Sequence, residues 1–363
     1  MKALVYHGPG RKAWEDVPKP TITADTDAIV RVDATTICGT DLHIMKGDLP
    51  LVTDGRILGH EAVGTVESVG TGVKTVRPGD RVLVSCVSAC ARCRFCREGR
   101  YGQCIGGGGW ILGYLIDGTQ AEFVRVPFAD TSTYPVPAGV SDEDLLMLAD
   151  ILPTSYEVGV VNGRVAPGDV VAIVGAGPIG LSAIITAQLF SPAHIIAIDL
   201  ADSRLEAAKR FGADIVINSL RDDPLAIVQG ITDGLGADVA IEAVGVPETF
   251  ELAAELIRPG GHLANIGVHG KPATLHLEKL WIRDVTITTG LVDAYSTPTL
   301  IRLLAGGQLR TSPLITQRFA LDEMTAAYDT FGRAGETGAL KVVLSAAGTR
   351  SDREVPALVG ATA

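Results

Sequence analysis

Cys90, Cys93, Cys96 and Cys104 stand at the spacing C-x2-C-x2-C-x7-C, which lets one loop wrap a tetrahedral ion with four thiolates. Four thiolates leave no open position, so such a site holds a loop in place and does no chemistry. Zinc is the expected ion; an iron–sulfur cluster and a nucleic-acid-binding zinc ribbon are the alternatives. Arg92, Arg94, Arg97 and Arg100 offset part of the negative charge. Cys86, on an apolar run before the loop, reads as a packed thiol. Two further segments carry reactive types: Cys38-Gly39-Thr40-Asp41-Leu42-His43 and Gly59-His60-Glu61-Ala62-Val63-Gly64. Taken singly, Cys38 reads as a core thiol and His60 as a satisfied buried histidine.

The other chemical signal is a glycine turn. Val170-Val171-Ala172-Ile173-Val174 runs straight into Gly175-Ala176-Gly177-Pro178-Ile179-Gly180, and an apolar helix is expected from about Leu181. In G-x-G-x-x-G the first Gly permits the turn, the second lets backbone approach a pyrophosphate, and the third lets helix and strand pack closely. A second strand ends in Asp199, whose carboxylate suits the two hydroxyls of an adenosine ribose and repels a 2′-phosphate. NAD is therefore expected over NADP, with Arg204 framing the same ribose.

These residues need elements to position them. Residues 1 to about 150 hold short β-like runs, such as Ala28 to Val32 and Ala62 to Val66, separated by turn residues, which predicts an all-β lobe. From about 153, apolar β-runs alternate with amphipathic helical stretches: 170–174, 181–190, 195–198 and 203–211, with further strands at 239–242, 262–266 and 286–289. That alternation predicts a parallel, doubly wound Rossmann sheet, making the chain α/β. Beyond Leu291 a helix and then a strand at 342–344 are expected to return to the first lobe, and the tail from Ala346 to be frayed. With 363 residues, 47% of them hydrophobic, two lobes around a cleft are expected. The net charge of −11 argues against nucleic acid and anionic membranes and for a small-molecule partner. No apolar run is long enough to span a bilayer and the opening residues lack a signal peptide, so the expected place is the cytoplasm.

In order and spacing, G-H-E-x-x-G, the four-cysteine loop and the glycine turn resemble the zinc-containing medium-chain alcohol dehydrogenases, from the opening strand to about residue 345. The resemblance implies a GroES-like catalytic domain over 1–152 and 292–345, with a structural zinc loop at 86–106, around a Rossmann NAD-binding domain over 153–291. It implies two zinc ions per chain, a structural one on the four cysteines and a catalytic one on Cys38, His60 and a third ligand at the end of the β-lobe. Asp150 stands there, where many members have Cys or Glu and some bacterial secondary-alcohol enzymes have Asp; alone it reads equally as a helix cap. Glu61 either orients this site or coordinates transiently. Thiolate, imidazole and carboxylate would cancel the ion's charge and leave one position open.

By the same resemblance, a primary or secondary alcohol gives hydride to NAD, reversibly, and its proton leaves through Thr40, the nicotinamide ribose and His43. Thr154 would touch the nicotinamide, and Val244, Gly267 and Val268 would line the riboses. Trp110 stands where secondary-alcohol members carry a pocket tryptophan, or else serves packing or an interface. Rival readings are a formaldehyde dehydrogenase or dismutase, a polyol dehydrogenase, and a non-catalytic dinucleotide-binding protein with a structural zinc. A homodimer or homotetramer is expected.

Overall fold

The computed structural model describes residues 1–346. Six strands form an all-parallel sheet: Val170–Val174, His194–Asp199, Ile215–Asn218, Ala237–Glu242, Ile257–Asn265 and Thr286–Thr289. Numbered in chain order they lie third, second, first, fourth, fifth, sixth, the Rossmann order, with a crevice where the order reverses. The helix after the first strand runs Pro178–Ala187 and continues as a 3-10 turn to Phe190. It starts before the expected Leu181 because Pro178 occupies its first turn, where a missing N–H costs nothing. At Gly180 an added Cβ would lie 1.8 Å from the Gly175 carbonyl oxygen, so helix and turn touch backbone to backbone there.

The first lobe centres on a seven-stranded sheet in the order Ile315–Ala320, Lys341–Ser345, Ala28–Thr36, Ala62–Val69, Arg81–Val84, Thr133–Pro135, with Phe123–Val126 also on Ala28–Thr36. The lobe is less purely β than expected: helices Gly39–Lys46 and Asp142–Leu146 interrupt it. The return after Leu291 is also richer than one helix and one strand. Thr297–Ala305 is helical, Ile315–Ala320 is a strand parallel to Lys341–Ser345, and Met324–Gly332 is a further helix. The expected tail lies, from residue 347, outside the described residues.

Register in this sheet decides what meets what. Thr35 pairs with Ala62 and Ala62 with Val84, so the chain just past Thr36, just before Ala62 and just past Val84 emerges at one end. Val343 pairs with Thr36, bringing the last strand to the same end. The Cys86 N–H bonds the Ala149 carbonyl at 3.1 Å, docking residue 150 there as well. The largest hydrophobic cluster joins the halves: Leu145, Leu146, Leu148 and Leu152 pack with Ala183 and Ile184 of the glycine-turn helix and with Val343. Gly180→Ala is expected to cost about 1–3 kcal/mol by forcing helix from turn, read as a lowered denaturant midpoint.

Candidate functional site

A cavity of about 300 Å³ opens at that sheet end, against the carboxyl ends of the parallel strands. Cys38, Thr40, His43, His60, Trp110, Asp150, Thr154, Pro178, Ile179, Val244, Gly267 and Val268 line it. Sequence positions from 38 to 268 thus share one cleft.

Local structure aims these groups. Cys38 caps the helix Gly39–Lys46, and Asp41 Oδ2 accepts from the Cys38 N–H at 2.9 Å, as a capping box requires. Thr40 and His43, three residues apart, then share a helix face. Gly59 holds φ +90°, a turn that favours glycine, immediately before His60. Asp150 does not use its side chain as a cap for the helix Ile151–Thr154 that it opens. Its Oδ1 instead accepts from the Thr154 hydroxyl at 2.6 Å, and its Oδ2 lies 3.2 Å from His60 Nε2 and 3.7 Å from Cys38 Sγ.

Donors on a tetrahedral zinc at 2.0–2.3 Å sit about 3.3–3.8 Å apart, so these three side chains fit one ion. Burial and the neighbouring carboxylates Asp150 and Glu61 push the Cys38 thiol up. Burial pulls the His60 imidazole down, but Asp150, Cys38 and Asp41 carry it well above its ordinary value. Burial likewise opposes the Asp150 charge, yet His60 and Thr154 hold its pKa at about 2. A divalent cation among them favours thiolate and neutral imidazole together, reversing both upward shifts.

The second cluster is equally compact. Cys90 and Cys96 Sγ are 3.9 Å apart, Cys93 and Cys104 Sγ 4.0 Å, against the ~3.8 Å edge of a tetrahedral zinc–sulfur site. Backbone N–H groups of Cys93 and Gly106 point at Cys90 and Cys104 sulfurs at 3.4 Å. The Cys96 N–H and other donors lower Cys93 to about 6, while burial and the neighbouring thiols push Cys96 up to about 12. Backbone N–H donors lower Cys90 as well, against its burial, so Cys96 is the thiol that most needs a cation to ionise.

Glu61 places an oxygen within 4.8 Å of the donor atoms of Cys38, His60 and Asp150, and its carboxylate is also paired behind them. Its oxygens lie 2.9 and 3.1 Å from Lys341 Nζ, both residues 1% exposed, and this carboxylate keeps the ammonium pKa raised against burial. Lys341 escaped sequence reading because 280 residues separate it from Glu61 and no local pattern marks it. Cys86 is buried as expected, yet it also lines the cleft, as do Leu291 and Val292. The Trp110 ring meets His60 edge-on at 5.9 Å and stacks on Tyr114 at 4.6 Å. His43 Nδ1 lies 2.8 Å from Asp48 Oδ2.

At the glycine turn, Asp199 accepts from the N–H groups of Ala176 (2.8 Å) and Ala201 (2.9 Å), and Arg204 stands 3.8 Å away. A carboxylate offers about four lone-pair sites, so Asp199 can still accept further hydrogen bonds. Gly177 precedes the helix with extended backbone, and Gly175 takes φ +101°. Lys341→Met should cost about 3–5 kcal/mol by stranding Glu61, and Lys341→Met with Glu61→Leu should recover most of it in denaturant unfolding.

The family described as Alcohol dehydrogenase GroES-like domain matches residues 24–138, and that described as Zinc-binding dehydrogenase matches 178–306. An alcohol dehydrogenase of Cupriavidus necator is 39% identical, over 95% of this chain and 98% of its own. Among solved structures, zinc dependent alcohol dehydrogenase 2 from Streptococcus pneumonia, in its apo form, superposes with TM-score 0.92 at 48% identity, covering 97% of this chain and all of that one. Alcohol dehydrogenase TADH from Thermus sp. ATN1 gives TM-score 0.89 at 38% identity, over 95% and 100%.

Proposed function

The chain belongs to the zinc-type medium-chain alcohol dehydrogenases, and from that premise we propose that it transfers hydride reversibly between a primary or secondary alcohol and NAD. The observation that carries this reading is the convergence of Cys38, His60 and Asp150 inside the cleft that also receives Thr154, Val244 and Val268. We assign the catalytic zinc to Cys38, His60 and Asp150, and a second, structural zinc to Cys90, Cys93, Cys96 and Cys104. When bound, zinc supplies Lewis acidity toward the alcohol oxygen and NAD supplies the carbon that accepts hydride.

The chain's residues do the rest. Thr40 receives the alcohol proton and His43 exchanges it with solvent, its imidazole oriented through Nδ1 by Asp48. Glu61, tied to Lys341 and within 4.8 Å of the three donors, either orients the site or joins coordination transiently while water and substrate exchange. Gly175, Gly177, Pro178, Ile179 and Gly180 bring backbone to the pyrophosphate, Asp199 and Arg204 take the adenosine ribose, and Val244, Gly267 and Val268 flank the dinucleotide. Leu49, Val87, Trp110, Leu291 and Phe331 make the cleft wall apolar, which favours a simple alcohol or aldehyde over a polyol.

The unit we assign to substrate and zinc comprises 1–152 with 292–345, and the NAD-binding unit 153–291. Self-association, as dimer or tetramer, is supported by Leu277, Trp281 and Ile282, at 60%, 75% and 70% exposure beside the edge strand Thr286–Thr289. Among the described residues no helix is long and apolar enough to cross a membrane.

Purified protein should form NADH from some member of a panel of primary, secondary and polyol alcohols and aldehydes, with about two zinc per chain. Asp150→Ala should retain about one and lose activity with the other. Full activity in that variant would put the third ligand elsewhere. Asp199→Gly should shift the NAD-to-NADP ratio of kcat/KM at least ~10-fold toward NADP, since the repelling carboxylate is gone. An unchanged ratio would remove the charge argument for NAD.

A further inference from the structure

Glu157 takes no part in the reaction described above, yet its carboxylate is buried at 3% exposure in the seam between the two halves. It lies on the segment Ser155–Val161, wound with wide turns such as Asn162 N–H to Glu157 carbonyl, directly after Asp150 and Thr154. Oε2 accepts from the N–H groups of Asp293 (2.9 Å) and Ala294 (3.1 Å). Oε1 accepts from the Ser296 N–H (2.8 Å) and its hydroxyl (2.5 Å). An ionised carboxylate taken out of water is costly unless donors replace its hydration, and here one stretch of chain provides them.

That stretch, 290–296, lacks strand or helix of its own and faces two ways. Gly290, Leu291 and Val292 line the cleft. On the other side Asp293 Oδ1 accepts from the Gly102 N–H of the four-cysteine loop at 2.8 Å, and the Tyr134 hydroxyl donates to the Ala294 carbonyl at 3.1 Å. Ala294 sits at φ +60°, a left-handed conformation that an alanine keeps only when its surroundings enforce it. Glu157 grips the N–H of that residue and of its neighbour.

We propose that Glu157 is a positioning residue, whose carboxylate clamps 290–296 so that Leu291 and Val292 form a fixed wall for the nicotinamide end of the dinucleotide and for the alcohol. The proposal rests on the reading of the cleft as the NAD and alcohol site. The clamp acts on binding: a wall that wanders loosens both ligands, while Thr40, His43 and the donor trio remain where they are.

The test compares wild type, Glu157→Gln, Ser296→Ala and the double variant by steady-state kinetics, NADH fluorescence titration and amide hydrogen exchange, below the melting temperature of each. Glu157→Gln keeps the size but turns an NH2 toward N–H donors. It should raise the NADH Kd and the alcohol KM about tenfold with kcat changed less than about threefold, and speed exchange in 290–296 but not in 170–187. Ser296→Ala should move the same quantities less, and add little in the Glu157→Gln background because both act through one contact. Faster exchange with unchanged Kd and KM would make Glu157 a purely structural group and overturn the proposal. So would a kcat loss without a KM change. If Glu157→Gln does not fold, Ser296→Ala decides alone: a rise in Kd and KM supports the clamp and no rise refutes it. If wild type oxidises no alcohol, the functional reading falls separately, and NADH titration with exchange still judges the clamp.

Discussion

Three donor atoms from chain positions 38, 60 and 150 meet within a few ångströms at the inner wall of a cleft, His60 buried and Cys38 and Asp150 half-buried. Each is ionisable, and burial opposes two of the charges they need. The surroundings answer with partners. Asp41 is tied to the Cys38 N–H and to Gln120, Gln120 to Tyr328, and Glu61 to Lys341. An unpaired buried charge costs about 3–5 kcal/mol, so these pairings help hold the three donor residues in place. Asp41 Oδ1 and His60 Nδ1, 4.0 Å apart, are the pair still short of hydrogen-bond distance.

The seam between the halves follows from the same constraint. Cys38, His60 and Asp150 from one lobe and the glycine-turn helix from the other border one cleft only if the lobes keep a fixed distance. A single hydrophobic cluster running from Leu145 through Ala183 and Ile184 to Val343 holds them. Glu157 adds polar anchorage where the chain crosses back, at a stretch that would otherwise be loose backbone beside the cleft. The four-cysteine loop braces this stretch from outside through Asp293 and Gly102, so a cluster that does no chemistry still bears on the cleft wall.

Much of this was legible in the sequence because the chemistry there is local. Four thiols within fifteen positions and a glycine turn between strand and helix each carry their geometry in their spacing, whereas Cys38 and His60 stood out only through the resemblance to the dehydrogenases. The parallel sheet was legible from alternating periods, with an error at the helix start at Pro178 and with the four-residue strand Ile215–Asn218 unforeseen; in the other sheet the short strand Ile315–Ala320 was likewise too brief to stand out. Asp150 was ambiguous between cap and ligand. Its side chain turned toward His60 because the Cys86-to-Ala149 bond docks that stretch onto the sheet end.

The sequence by itself therefore determined the local devices: the four-thiol loop, the glycine turn between strand and helix, and the carboxylate that ends the second strand. Only the tertiary structure decided the pairings that span more than a hundred residues, Lys341 with Glu61 and Glu157 with 293–296. The physical reason is that a buried charge finds its partner through sheet register and interlobe packing, and neither leaves a pattern within a short window of sequence.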